Sequence, residues 1–203
     1  MTARRSVRRN HVVRRVGMAC AVVMAATVAT SCSEPATAPR ETPSGTEVPT
    51  VGKPLSPAAL SIAPCEAFDL REATVVLGPG TALQTQDNTG PTAPRCAYTN
   101  RDTNANIAVA LANYGLARYH HEFKGNALLW REFQIRDFPA VATVSPLGGR
   151  RERDCTIALA VTDSVLLFAD IRLATTRIGH DDPCTVATAV ATTGLENMRR
   201  RSG

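Results

Sequence analysis

Acidic residues are missing from the first 33 positions, aromatic side chains make up only 4% of the 203-residue chain, and the short motifs that announce catalysis are absent. There is no GxSxG elbow to activate a serine, no HExxH to set two imidazoles on one helix face, no phosphate-cradling glycine loop and no CxxC pair. Serine-hydrolase, zinc-peptidase, nucleotide-binding and thiol-exchange chemistry therefore have no motif behind them. The chain is read as a non-enzyme without a metal or cofactor.

What is present is unevenly placed. The formal charge of +5 invites a nucleic-acid partner, but its distribution argues against one. Arg4, Arg5, Arg8, Arg9, Arg14 and Arg15 precede Cys32, whereas all 18 acidic residues follow it, so the chain from Cys32 onward carries about one net negative charge. The basic signature belongs to a leader. An uncharged apolar run from Val16 to Thr30 follows those arginines, 15 residues against the roughly 20 that a bilayer-spanning helix needs. Residues 1–31 thus read as a removable signal peptide. Ala29-Thr30-Ser31-Cys32 resembles a bacterial lipobox, which implies cleavage before Cys32 and a diacylglyceryl group on its sulfur. Cys32 is the expected lipidation site, and the expected location is the outer face of the cytoplasmic membrane, in the cell envelope.

Residues 32–62 are rich in Pro, Thr, Ser and Ala and lack apolar periodicity, as a solvated tether does. Residues 63–200 carry element signals. Asp69 with Glu72 three positions on is a capping box, and Gly78-Pro79 stops the helix it opens. Arg95 to Asn100 and Ile107 to Tyr114 read as a hairpin across RDTNAN, and Gly115 to Asn126 as a short helix. Strands are expected at Phe138–Val144, Cys155–Val161 and Val165–Leu173, with an irregular one near Leu129–Ile135. Asp182 caps a terminal helix with Pro183 in its first turn, and Cys184, Ala187, Ala191, Leu195 and Met198 fall on one stripe. The fold class is α+β: an antiparallel β-sheet packed with N- and C-terminal helices.

With Cys20 in the leader and Cys32 lipidated, Cys65, Cys96, Cys155 and Cys184 remain. An even count in an exported domain predicts two disulfides with three possible connectivities, and position favours Cys65 with Cys96 and Cys155 with Cys184. The layout of PC before a short helix ending in LG, then CAY, FPAV, CTI and DPC is similar to the actinobacterial DUF3558 lipoproteins, over about residues 63–200. The resemblance implies a secreted, lipid-anchored domain of the PsbP/Mog1-like sandwich type, and it transfers no catalytic residue.

Other clusters have plain readings. In Tyr119-His120-His121-Glu122 adjacent imidazoles point about 100° apart on a helix, which suits solvated histidines better than a metal. His180-Asp181-Asp182 looks like a dyad, but Asp182 is needed as a cap. Arg150, Arg151 and Arg153 form a loop interrupted by Glu152 and Asp154, and Trp130, Phe133 and Phe138 suit a core or a pocket wall. The expected role is non-catalytic binding of another envelope protein or of a small apolar or glycan ligand. The alternatives are a hydrolase of envelope polymers using His120, His121 or His180, and a carrier shielding a lipid or small apolar ligand.

Overall fold

The computed structural model describes residues 48–87 and 94–201. Cys20, Cys32, the leader and the first half of the tether lie outside the described residues.

In chain order the elements are α1 (Pro57–Leu60), α2 (Pro64–Ala67), α3 (Leu70–Leu77), β1 (Thr81–Asp87), β2 (Arg95–Asn100), β3 (Ala105–Ala112), α4 (Leu116–Phe123), β4 (Leu129–Ile135), β5 (Phe138–Val144), β6 (Asp154–Thr162), β7 (Val165–Arg172) and α5 (Pro183–Arg200), with a 3-10 turn at Thr175–Arg177. The seven strands form one antiparallel sheet in the order β1-β2-β3-β7-β6-β5-β4. Two meanders, β1 to β3 and β4 to β7, meet at the β3–β7 pair, where Asn106 to Ala112 oppose Arg172 to Leu166. The class is α+β, as the sequence periodicity implied.

One face of the sheet is closed by α2, α3 and α5. Ile107, Val109, Ile157, Leu159, Leu167 and Leu195 are fully buried there. The terminal helix buries Cys184, Ala187, Ala191, Leu195 and Met198, the stripe expected from their spacing. At Gly194 an added Cβ would stand 3.2 Å from Leu167 Cδ2, so the missing side chain lets the helix backbone sit close to β7.

Polar groups fix this layer. Asp69 and Glu72 form the reciprocal capping box at the start of α3, with bonds of 2.8 and 2.9 Å. Asn197, buried on α5, donates to the Ala67 carbonyl and to Glu72 Oε1, each at 2.8 Å, tying the last helix to α2 and α3. Cys65–Cys96 staples α2 to β2, and Cys155–Cys184 staples β6 to α5. The hydroxyl of Tyr98, 3.1 Å from Cys96 Sγ, donates to the Phe68 carbonyl at 2.6 Å, and burial pushes its pKa up to about 12.

Two features differ from the sequence reading. Strand β1 was not signalled, because TALQTQD has no apolar alternation and is held as an edge by pairing with β2. Residues 48–62, assigned by composition to the tether, lie on the domain. Val51, Ala59 and Ile62 are buried, Val51 N–H donates to Asp163 Oδ1 at 2.8 Å, and Leu55 N–H donates to the Val161 carbonyl at 3.0 Å. Ser56 caps α1, whose first residue is Pro57. Beside this contact Gly115 is pressed so closely on the β6–β7 turn that a Cβ would fall 1.7 Å from the Asp163 carbonyl oxygen.

Replacing both Cys155 and Cys184 by alanine is expected to cost about 3.5 kcal/mol of unfolding free energy, measured by urea denaturation. Tyr98→Phe, which strands the Phe68 carbonyl, is expected to cost about 1–3 kcal/mol in the same assay.

Candidate functional site

The second face of the sheet is only partly covered. Helix α4 lies over one end of it, and its Tyr119 ring stacks on Trp130 at 5.6 Å and meets Phe168 edge-on at 5.3 Å. Burial pushes the Tyr119 hydroxyl well above the usual phenol range, and Thr143 hydrogen-bonds it. Lys124, at the C-cap of that helix, donates to Glu132 Oε1 at 3.0 Å, and Trp130 Nε1–H donates to that oxygen at 2.8 Å. Those two hydrogen bonds, the indole's first, hold the Glu132 carboxyl below the usual range.

Away from α4 the face is open, and register puts one row of side chains across it. Ala97, Ala108, Asp170, Thr156, Thr143 and Trp130 are successive partners on β2, β3, β7, β6, β5 and β4. The neighbouring row on β2, β3, β7 and β6 is Thr99, Asn106, Arg172 and Asp154. Small alanines at one end and a tall aromatic wall at the other leave a concavity, closed at its side by the loop Ser145–Gly149.

The concavity has two confluent parts. A polar chamber of about 720 Å³ is lined by Arg95, Asn106, Asp154, Asp170 and Arg172 among others. A more apolar chamber of about 500 Å³ lies between α4 and the loop and includes Tyr119, Phe123, Pro146 and Leu147. Thr143, Ser145, Leu147 and Thr156 line both. Each chamber by itself has the volume of a small-molecule site.

The two carboxylates in the polar chamber are differently committed. Asp154 accepts from Arg172 Nε at 3.0 Å through one oxygen and from the Arg150 N–H at 3.0 Å through the other. Asp170 Oδ1 accepts from the Thr156 hydroxyl at 2.6 Å, and its other oxygen has no hydrogen-bond partner among the described residues. Burial pushes the Asp170 carboxyl above its ordinary pKa, against the opposing effects of the Thr156 hydrogen bond and the Arg95 charge. A half-buried carboxylate lining a cavity, with one oxygen open to that cavity, is placed to receive a donor.

The residues singled out from sequence fall elsewhere. His120 Nε2 lies 2.9 Å from Lys124 Nζ and 3.3 Å from Glu132 Oε1, while His121 and His180 are exposed on separate elements. The histidines do not converge on one centre. Asp182 caps α5 through the Cys184 N–H at 2.8 Å, and Asp181 pairs with Arg177 at 2.5 Å. Among the described residues no group of three or more His, Cys, Asp and Glu is placed to hold a metal ion. Phe138 is core and carries the Arg199 guanidinium on its ring at 4.9 Å, whereas Trp130 is the aromatic wall. Of the arginine loop, Leu147, Gly148, Gly149 and Asp154 line the chamber, whereas Arg150, Arg151 and Arg153 do not.

Asp170, Thr156, Thr143 and Arg95 were not signalled by sequence. The trace that marks Asp170 is its position in VLLFADIR, where it shares a strand face with Leu166 and Phe168. A lone acid on an apolar face needs a partner or a purpose.

Because the native pKa of Asp170 is raised, the folded state binds more protons than the unfolded state above the ordinary carboxylate value. Its contribution is therefore present at low pH and lost as pH rises. Asp170→Asn keeps an acceptor for Thr156 and removes the desolvated charge. The expected outcome is an unchanged or higher Tm, with a gain that grows from pH 4 to pH 7 in thermal melts.

No curated protein and no solved structure matches the chain. A family model described as a protein of unknown function, DUF3558, matches residues 18–197, which takes in all four disulfide cysteines and every strand of the sheet. The chain belongs to the DUF3558 family.

Proposed function

We propose that the protein is a lipid-anchored cell-envelope protein, secreted by its leader and held through Cys32, whose domain binds a small ligand without catalysis. The observation that carries the binding reading is the confluent concavity on the open sheet face, polar at Asp170 and apolar at Tyr119, Phe123 and Leu147. A concave site with a half-buried carboxylate open to it favours a ligand that enters the cavity over a partner that packs on a flat face.

The anchoring reading rests on the lipobox-like Ala29-Thr30-Ser31-Cys32 and on the confinement of basic surplus to the leader. No helix among the described residues is long and apolar enough to cross a membrane. Two acyl chains on one cysteine supply a stable attachment. Since residues 48–62 pack on the domain, they are not free to act as the spacer that composition assigned to them.

Cys32→Ser is expected to move the protein from the membrane fraction to the soluble fraction and to abolish metabolic labelling with a fatty acid. Native mass spectrometry of the protein released from its own envelope without reduction is expected to show a bound small molecule at one per chain. Recovery of unliganded monomer alone, or of a stoichiometric protein partner with the groove empty, would count against the small-ligand reading.

A further inference from the structure

The concavity constrains the ligand's chemistry, and this step rests on the small-ligand reading above. At the polar end the charged groups outside the Asp154–Arg172 pair are Asp170, whose Oδ2 is an acceptor with no hydrogen bond among the described residues, and the exposed Arg95 guanidinium, a donor. Asp154 and Arg172 neutralise one another nearby at 3.0 Å. An ammonium headgroup placed on Asp170 would face Arg95, and an anionic one placed on Arg95 would face the bare lone pairs of Asp170. A pair of neighbouring hydroxyls satisfies both, one donating to the carboxylate and the next accepting from the guanidinium.

Two strands further along the same row the lining changes. Beyond Thr143 the groove passes between Tyr119 and Phe123 on α4 and Pro146 and Leu147 on the loop. Leu147 is 91% exposed and Phe123 43% exposed, an arrangement that leaves two large apolar side chains in water unless something lies between them. The distance from Asp170 to Thr143 across two strand spacings is about 10 Å, short enough for one molecule to use both ends.

We infer that the groove takes a neutral, polyhydroxylated headgroup bearing an apolar chain, with its hydroxyls on Asp170 and Arg95 and its chain between α4 and the loop Ser145–Gly149. Asp170 is the residue that selects the headgroup, and Leu147 with Phe123 selects the tail.

The test uses the full chain with both disulfides formed and three probes sharing one tail: octyl β-D-glucoside, octylammonium and octyl sulfate, each below its micellar concentration. Binding is read from Trp130 fluorescence and from amide NMR shifts at Thr143, Thr156 and Asp170. Octyl glucoside is expected to bind about tenfold more tightly than either charged probe, and Asp170→Asn to weaken it by about tenfold. Leu147→Ser, at an exposed position that folding does not need, is expected to weaken all three by about threefold to tenfold. If octylammonium or octyl sulfate binds as tightly as the glucoside, or Asp170→Asn leaves glucoside affinity unchanged, the headgroup assignment is overturned while the groove remains a binding site. If none of the probes shifts those three amides, both the assignment and the small-ligand reading fall.

Discussion

The pairing of β3 with β7 is the contact on which the rest of the molecule depends. Each meander is local in sequence, but Asn106 to Ala112 must find Arg172 to Leu166 across some sixty residues before a single sheet exists. That closure carries a large entropic cost, and the apolar face it completes offsets it. Ile107, Val109 and Leu111 on one strand and Leu167, Ala169 and Ile171 on the other are all buried against the helices. A register slip by one residue would send this set to the open face. The same register brings Ala108 beside Asp170, so the seam that stabilises the core also builds the floor of the groove.

The two disulfides reinforce that arrangement from outside the seam. Each ties a helix on the closed face to a strand, one in each meander, at loop lengths of 31 and 29 residues. Asn197 and the capping box of α3 link the helices to one another. The closed face is thus covalently and polarly pinned, while the open face carries its cavity on strands that cannot splay. A rigid sheet beneath a groove is suited to recognition by preformed geometry.

Where local pattern governs structure, the sequence could be read. Strands β2, β3, β5, β6 and β7 alternate or are continuously apolar, α3 and α5 carry their caps, and the favoured cysteine pairing is the one observed. Strand β1 was silent because an edge strand can be polar on both faces, and residues 48–62 were silent because Val51, Leu55, Ala59 and Ile62 are diluted among prolines. The site was silent for a different reason. Arg95, Thr143, Thr156 and Asp170 are unremarkable singly and far apart in the chain. Only the register of five strands, a non-local property, sets Thr143, Thr156 and Asp170 in one row beside Arg95.

The docking of residues 48–62 has a mechanical meaning. Val51 and Leu55 are bonded to Asp163 and Val161, so a pull on the chain ahead of Val48 enters the domain at the turn of the β6–β7 hairpin. That hairpin is paired on both sides, β6 to β5 and β7 to β3, so it is held by neighbours on either flank. The same force applied at β1 or β4 would peel an edge one bond at a time. With Cys155–Cys184 holding β6 to α5 as well, the hairpin that takes the strain is the best-fastened part of the sheet. A pull on the chain ahead of the domain would therefore be met first at the fastened β6–β7 hairpin, on the far side of the sheet seam from the edge strand β1.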